Sequence, residues 1–202
     1  MESALREGGR EPGLKLIETM LWDGAAAPRW ALHRRRLRRS AETLGWDCPD
    51  VAPSGPDHPA RLRLTLDREG RVDWTAAALP PAKAEWRVGL AEERLLSDDP
   101  WLRVKSTRRA SYDRARASLP EGLDEVIFLN EHGEVCDGSI TSVFFDRGQG
   151  MRTPPLTCGL LPGVLRAELD CPEEVLRAED LSNVRLWVGN ALRGLIPAVF
   201  QA

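Results

Sequence analysis

The sequence predicts a mixed α/β fold, because stretches with helical periodicity and stretches with strand periodicity follow one another along its 202 residues. From Trp30 to Leu44 the apolar residues recur at helical spacing, and the pattern ends at Gly45, a residue type that commonly terminates helices. Residues 61–66 alternate polar with apolar side chains, and a turn separates them from a second stretch at 72–76. We therefore expect a helix beside a β-hairpin in the first half of the chain.

The first half is expected to form a small α/β domain over residues 14–80. A strand at 14–21 opens this domain and ends at a turn signal at 23–24. The preceding residues 1–13 are polar and rich in glycine, which predicts a flexible N-terminal tail. A Pro/Ala stretch at 79–83 favours a domain boundary at that point.

The second half is expected to form a larger α/β domain over residues 85–202. It contains apolar runs of strand length and a helical pattern, separated by turn residues. The predicted elements are a strand at 86–90, a helix at 109–118, a strand at 125–129 and an apolar run at 140–145. Both halves thus combine helices with strands.

Composition argues against several classes of function. Charged residues make up 29% of the chain and the formal net charge is -3, so no overall attraction to nucleic acid or to an anionic membrane is indicated. The chain has no apolar run long enough to span a membrane and no secretory signal pattern, so we expect a cytoplasmic protein. The cysteines form no C-x-x-C pair and the histidines are far apart, which indicates neither a zinc site nor a disulfide framework. A small-molecule ligand fits this composition better.

A glycine-containing loop at 159–163 precedes an amphipathic run at 164–169, and Pro162 is well suited to a first helical turn. The N-terminus of a helix presents unpaired N–H groups and a partial positive charge, which suit a phosphate monoester. Glycines are also common in turns that bind no ligand, so this loop indicates a phosphate site only if other phosphate-binding groups lie near it.

One such group lies in the arginine-rich segment 33–39. Arg36 adjoins the apolar stripe through Leu37, so it is expected at a buried cleft, whereas the other arginines fan around the exposed face. The alternatives are a solvated face or a nucleic-acid patch, and the acidic net charge favours the solvated face.

Lys105 lies between an extended stretch and a predicted helix, a position where functional side chains are often presented. The run Lys105-Ser106-Thr107-Arg108-Arg109, followed by Tyr112-Asp113, resembles the lysine motif of the class IV aminotransferase and aminodeoxychorismate lyase family. The resemblance extends in order over residues 17–20, 33–41, 124–130, 135–144, 153–156, 159–166 and 188–197. Because these motifs cover nearly the whole chain in the family's order, the sequence is identified as a member.

The resemblance implies a two-domain, D-amino-acid aminotransferase-like fold with pyridoxal 5′-phosphate (PLP) between the domains. It makes Lys105 the catalytic residue, which links covalently to the cofactor and carries protons. The other implied cofactor contacts are Asp137 at the pyridine nitrogen, and Arg36, the N–H groups of Val164 and Leu165, and the Asn190 side chain at the phosphate. The family usually has Glu at position 137, and asparagines where this chain has Ser142 and Arg108.

Two reactions use this family scaffold. Residues 188–197 resemble the lyase more closely, so we expect a 4-amino-4-deoxychorismate lyase of folate biosynthesis, which releases pyruvate and yields 4-aminobenzoate. The first alternative is an aminotransferase acting on branched-chain or D-amino acids, and the second is a non-catalytic relative that binds the cofactor. The resemblance further implies a homodimer that acts on a small amino substrate, in association with an aminobenzoate synthase component.

Overall fold

The computed structural model describes residues 2–202, which divide into two compact units. The first unit ends at Pro81 and also includes Val104–Arg108, whereas the second comprises Ala82–Arg103 and Arg109–Ala202. The predicted mixed α/β fold is confirmed. The predicted domain boundaries differ in one respect, because they assigned the segment that contains Lys105 to the second domain and the structure packs it with the first.

The first unit contains a three-stranded antiparallel sheet in the order β1-β2-β3. Strand β1 spans Leu16–Trp22, β2 spans Ala60–Leu66 and β3 spans Val72–Ala77. Along β2 every second side chain is buried, as the alternating sequence predicted. Leu62 and Leu64 are almost completely buried, so one face of the sheet supplies the core of this unit.

One helix covers this sheet. Helix α2 spans Trp30–Leu44, and its buried side chains include Leu37 and Ala41; helix α1, the first in the chain, spans Glu2–Gly8. The end of α2 is a Schellman motif, in which Gly45 N–H donates to Glu42 O at 3.0 Å and Trp46 N–H donates to Ala41 O at 2.8 Å. Gly45 has a φ of 70°, which explains why a glycine ends this helix.

The N-terminal segment differs from the sequence expectation, which was a flexible tail over residues 1–13. Met1 lies outside the described residues, but α1 is helical and its Leu5 side chain is buried. Trp46 Nε1 donates a hydrogen bond to Gly9 O at 3.0 Å. The polar composition of this segment gave no sign of the buried Leu5 side chain or of the indole hydrogen bond to Gly9 O, both of which anchor the segment.

The segment Val104–Arg108 runs beside the start of β1. Ile17 N–H donates to Lys105 O at 2.9 Å, and Thr107 N–H donates to Lys15 O at 2.8 Å. Leu16 and Ser106 form an antiparallel bridge between these two bonds. The lysine is therefore held on a short strand-like extension of the first sheet.

The second unit is built on a closed six-stranded sheet in the order β4-β5-β6-β7-β8-β9, in which β9 pairs back onto β4. The strands are β4 (Trp86–Leu90), β5 (Glu125–Leu129), β6 (Val135–Gly138), β7 (Ser142–Asp146), β8 (Arg185–Asn190) and β9 (Gly194–Phe200). Strand β4 runs parallel to both of its neighbours, and the other pairings are antiparallel. Apolar side chains from all six strands form one buried cluster.

Two helices accompany this sheet, α3 (Ala110–Ala117) and α4 (Val164–Leu169). A Cβ added to Gly189 in β8 would lie 2.6 Å from Leu165 Cδ2, so the glycine allows α4 to pack closely on the strand. Short 3₁₀ turns occupy Pro100–Arg103, Leu156–Cys158 and Ala178–Asn183. No helix described between residues 2 and 202 is long and apolar enough to cross a membrane.

Candidate functional site

Lys105 is half-buried, and its backbone is fixed by the pairing with β1. The neighbouring Ser106 is buried, and its hydroxyl accepts the Arg108 N–H at 3.3 Å. Lys15 N–H donates to the Thr107 hydroxyl at 3.0 Å, which adds a further contact on the same edge. The lysine side chain is thus presented from a backbone with little freedom, as a catalytic amine requires.

Arg36 is buried in α2 and pairs with the carboxylate of Glu18, a residue that was not predicted to belong to the site. Its Nε donates to Glu18 Oε1 at 2.9 Å, and its Nη2 donates to Glu18 Oε2 at 2.5 Å. His33 Nδ1 lies 2.6 Å from the same Oε2. Glu18 follows Ile17 in β1, so consecutive residues of this strand hold the Lys105 backbone and the Arg36 guanidinium.

The Glu18 carboxyl should make the stability of the protein depend on pH. Its burial opposes ionisation, but the charge of Arg36 and the hydrogen bonds from His33 and Arg36 outweigh this and lower its pKa from 4.5 to about 2. A lowered folded-state pKa contributes stability above pH 4.5, and this contribution disappears as the pH falls towards about 2. The shift corresponds to about 3 kcal/mol, of which we expect about 2 kcal/mol to be lost by roughly pH 3.

Urea unfolding of the wild type and of Glu18→Gln between pH 6 and pH 3 measures this effect. The wild type should lose more stability over this range than the variant, because the variant lacks the group that titrates. Equal pH dependence of the two proteins would contradict the role assigned to Glu18.

Asp137 occupies β6 with its side chain buried, and its Oδ2 accepts the Leu161 N–H at 2.8 Å. Tyr112 in α3 lies near this carboxylate. Burial raises the pKa of the tyrosine hydroxyl, and the nearby Asp137 carboxyl raises it further. Asp137 therefore places a carboxyl group in a poorly solvated part of the second unit.

The beginning of α4 lies against strand β7. A Cβ added to Gly163, the residue before the helix, would lie 2.5 Å from Ser142 Oγ, so a larger residue there would displace the Ser142 hydroxyl. Ser142 is the register partner of Asp137 in β6 and of Gly189 in β8. The first residues of the helix, Val164 and Leu165, are buried, and their N–H groups have no partner within the helix.

Asn190 ends β8 and holds the turn that leads to β9. Its Oδ1 accepts N–H groups from Leu192 at 3.1 Å and from Arg193 at 3.0 Å, and its Nδ2 donates to Ile140 O at 3.1 Å. These bonds use the carbonyl oxygen and one amide hydrogen, so a phosphate contact would have to use the second amide hydrogen. The proposed role of Asn190 in phosphate binding stays a prediction.

Within each unit the predicted residues converge. In the first unit, Lys105 and Arg36 contact neighbouring positions of β1. In the second unit, Asp137 in β6 and Asn190 in β8 flank strand β7, against which the start of α4 lies. The carboxylates of Glu18 and Glu125 were not predicted as part of the site. Both are fully buried, and each stands in or beside a run of apolar residues. No group of three or more His, Cys, Asp or Glu able to hold a metal ion occurs among residues 2–202.

Comparison with known proteins identifies related sequences. Residues 15–199 match the family model described as amino-transferase class IV. A "Putative aminodeoxychorismate lyase" of Schizosaccharomyces pombe is 29% identical over 168 residues, covering 76% of this chain and 72% of that protein.

Solved structures share the fold. A "Putative amino-acid aminotransferase" from Mesorhizobium loti superposes with a TM-score of 0.87 at 42% identity, covering 93% of this chain and 100% of that one. A "hypothetical aminotransferase" from Mycobacterium tuberculosis, solved with α-ketoglutarate and PMP bound, superposes with a TM-score of 0.75 at 21% identity, covering 96% and 83%. Since the family model covers nearly the whole sequence, the chain belongs to the class IV aminotransferase family.

Proposed function

We propose that this protein is a PLP-dependent enzyme that releases pyruvate from 4-amino-4-deoxychorismate. The observation that carries the proposal is the placement of Lys105, the lysine of the family motif, on a backbone fixed to β1 beside the buried Arg36–Glu18 pair. An amine held in this way is suited to covalent attachment of a carbonyl compound.

The side chains present fit PLP by their chemistry. The cofactor needs an amine for its aldehyde, a carboxylate for its pyridine nitrogen and cationic or N–H groups for its phosphate. This chain supplies Lys105, the buried carboxylate of Asp137, the buried guanidinium of Arg36 and the first N–H groups of α4. The Arg36 guanidinium pairs side-on with Glu18, and its Nε and Nη2 are the donors of that pair.

Bound PLP would supply a covalent link for the substrate amine and a ring that withdraws electrons from the bond being broken. Lys105 Nζ would hold the cofactor before the substrate arrives and afterwards accept and return the proton. Asp137 would keep the proton on the ring nitrogen, because an anion in a poorly solvated site favours the charged partner. Arg36, Val164 and Leu165 would bind the phosphate, with Asn190 as a further contact.

The lyase proposal is supported by the name of the yeast relative and by the Asn190-Ala191-Leu192 sequence at the turn after β8. Amino transfer to a keto acid is the second candidate, and it is supported by the name of the Mesorhizobium protein at 42% identity. The lysine, carboxylate and phosphate-binding groups serve either reaction, so the two differ in substrate rather than in cofactor contacts.

Three measurements on the purified protein test this proposal. Visible absorbance that shifts on borohydride treatment is expected, and protein that takes up no added PLP would favour a non-catalytic role. Release of pyruvate and 4-aminobenzoate from 4-amino-4-deoxychorismate is the expected reaction. Transfer of an amino group from branched-chain or D-amino acids to a keto acid, without pyruvate release, would replace the lyase by the aminotransferase.

Asp137→Asn should fold and bind PLP but lose about a hundredfold in turnover, the usual cost of removing one electrostatic contact to the reacting system. An amide can still accept the Leu161 N–H, but it cannot stabilise a protonated ring nitrogen as a carboxylate does. Steady-state kinetics at saturating PLP measure the change. Asp146→Asn is the matched control, because Asp146 in β7 accepts N–H groups of an exposed turn. Equal turnover of the Asp137 and Asp146 variants would contradict the assignment.

We also propose that the protein acts as a homodimer on its small amino substrate, as the family resemblance implies. Light scattering during size exclusion is expected to give a mass near twice the 22.5 kDa of the chain. A monomer that retains full activity at the concentration of the light-scattering measurement would contradict the proposal.

A further inference from the structure

The Glu125 carboxylate is fully buried at the first position of β5 and accepts hydrogen bonds on both oxygens. Its Oε1 accepts Val126 N–H at 3.0 Å, Ser139 N–H at 3.0 Å and the Ser139 hydroxyl at 2.5 Å. Its Oε2 accepts Ile140 N–H at 3.1 Å and the Thr141 hydroxyl at 3.0 Å. Four of these five donors belong to one turn, residues 139–141, which joins β6 to β7.

This turn is closed by a bond from Gly138 N–H to Thr141 O at 2.7 Å. A Cβ at position 138 would lie 2.8 Å from Glu125 Oε2 and would overlap the Thr141 hydroxyl, so glycine is required for the carboxylate to approach. Asp137 directly precedes Gly138 and pairs with Ser142 across the turn. The position of Asp137 therefore depends on how firmly the turn is held.

The same turn is tied to two other parts of the second unit. Ile140 O accepts the Asn190 Nδ2 hydrogen bond at 3.1 Å, and Ser139 O accepts Arg109 Nη2 at 3.1 Å. Asn190 in turn fixes the backbone between β8 and β9. The buried carboxylate of Glu125 thus holds the turn 139–141, which follows Asp137 and contains the Ile140 carbonyl that binds Asn190.

We infer that Glu125 is a positioning residue, which sets the geometry of Asp137 and Asn190 towards a bound phosphorylated cofactor through the turn 139–141. The inference rests on the proposed function, because it assigns Asp137 and Asn190 to that cofactor. Glu125 acts through the turn and does not contact the cofactor itself.

A carboxylate is required here because its two oxygens meet only donors. In Glu125→Gln an amide NH₂ group, which donates hydrogen bonds, must replace one carboxylate oxygen. A neighbouring hydroxyl can rotate and accept a bond from this NH₂ group, but a neighbouring backbone N–H can only donate. The fewest hydrogen bonds are lost when the amide nitrogen takes the place of Oε2, beside Ile140 N–H and the Thr141 hydroxyl. Even then the Ile140 N–H has no acceptor. Arg116 Nη1, 3.8 Å from Glu125 Oε1, offsets part of the buried negative charge.

Hydrogen exchange without cofactor is the first test, and it is independent of the proposed function. In Glu125→Gln the amides of residues 138–142 and 190–193 should exchange at least about tenfold faster, as expected when a buried hydrogen bond is lost. The matched control is Glu131→Gln, since Glu131 also accepts an N–H and a hydroxyl, from Ser97, but lies outside the turn. Its exchange at 138–142 should equal that of the wild type.

Titration with PLP is the second test, with the visible band followed against pH. Glu125→Gln should bind PLP about tenfold more weakly and shift the pH midpoint of the band, whereas Glu131→Gln should match the wild type. If the wild type takes up no PLP, the proposed function and the cofactor part of this inference are both wrong. The amide hydrogen exchange of residues 138–142 would then still test whether Glu125 holds the turn. A folded Glu125→Gln with wild-type affinity, pH midpoint and exchange would overturn the inference.

Ser139→Ala keeps the inference testable if Glu125→Gln does not fold. This variant removes one hydroxyl donor and leaves the backbone bonds in place. A severalfold faster exchange at 138–142 together with weaker PLP binding would support the role of the carboxylate, and unchanged values for both would contradict it.

Discussion

Lys105→Ala is expected to lose turnover by roughly a thousandfold or more, because it removes both the covalent attachment point and the proton carrier. Noncovalent binding of PLP should persist, since the proposed phosphate and ring contacts come from other residues. Borohydride treatment followed by mass spectrometry should show a PLP adduct on the wild type and none on the variant. Pyruvate release and amino transfer measured on the same samples give the loss of turnover.

The chain offers a matched lysine for this experiment. Lys15 lies on the same paired edge, where its carbonyl accepts Thr107 N–H, and its Nζ contacts Asp73 at 3.3 Å. Lys15→Ala should keep turnover and the adduct, since its side chain has no proposed chemical role. Near-normal turnover by Lys105→Ala, with contaminating enzyme excluded, would refute the central assignment.

The helix α2 and the strands β4 and β5 were predictable because their patterns are local. The apolar stripe and Gly45 define α2, and strands of five mostly apolar residues define β4 and β5. The hairpin of β8 and β9 was not predicted as strands, although its residues carry a family motif. Pro197 within β9 interrupts the strand pattern. It is tolerated because the pairing of β9 with β4 begins at Ala198, so the residue that lacks an N–H is paired only with Trp187 of β8.

The residues of the candidate site also divide into those that local sequence patterns predict and those that they do not. Lys105 and Asp137 could be named from local motifs, but the partners that hold such residues in place could not. Glu18 meets Arg36 across 18 residues, and Glu125 meets the turn across 14 to 16 residues. In sequence a glutamate of this kind is indistinguishable from a solvated one. Only the fold shows that each is buried and that donors surround it.

Arg36→Ala is expected to have two separate effects because of the buried Glu18. It should weaken PLP binding by about 1.5–3 kcal/mol, the range for a hydrogen bond to a charged group. It should also destabilise the fold by about 3–5 kcal/mol, because removal of one partner leaves a buried charge with reduced compensation. Sequence alone suggested only the first effect.

The double variant Arg36→Ala/Glu18→Gln separates the two effects. Removing the carboxylate charge should restore much of the lost stability, since the uncompensated charge is gone. It should not restore PLP affinity, because the phosphate contact is still missing. Urea unfolding gives the first quantity and absorbance titration gives the second, with pyridoxal as the phosphate-free comparison. Pyridoxal should bind the wild type and the double variant about equally, since it lacks the group that Arg36 is proposed to bind. If the double variant bound PLP as tightly as the wild type, Arg36 would not be a phosphate ligand, and its role would be confined to the buried pair with Glu18.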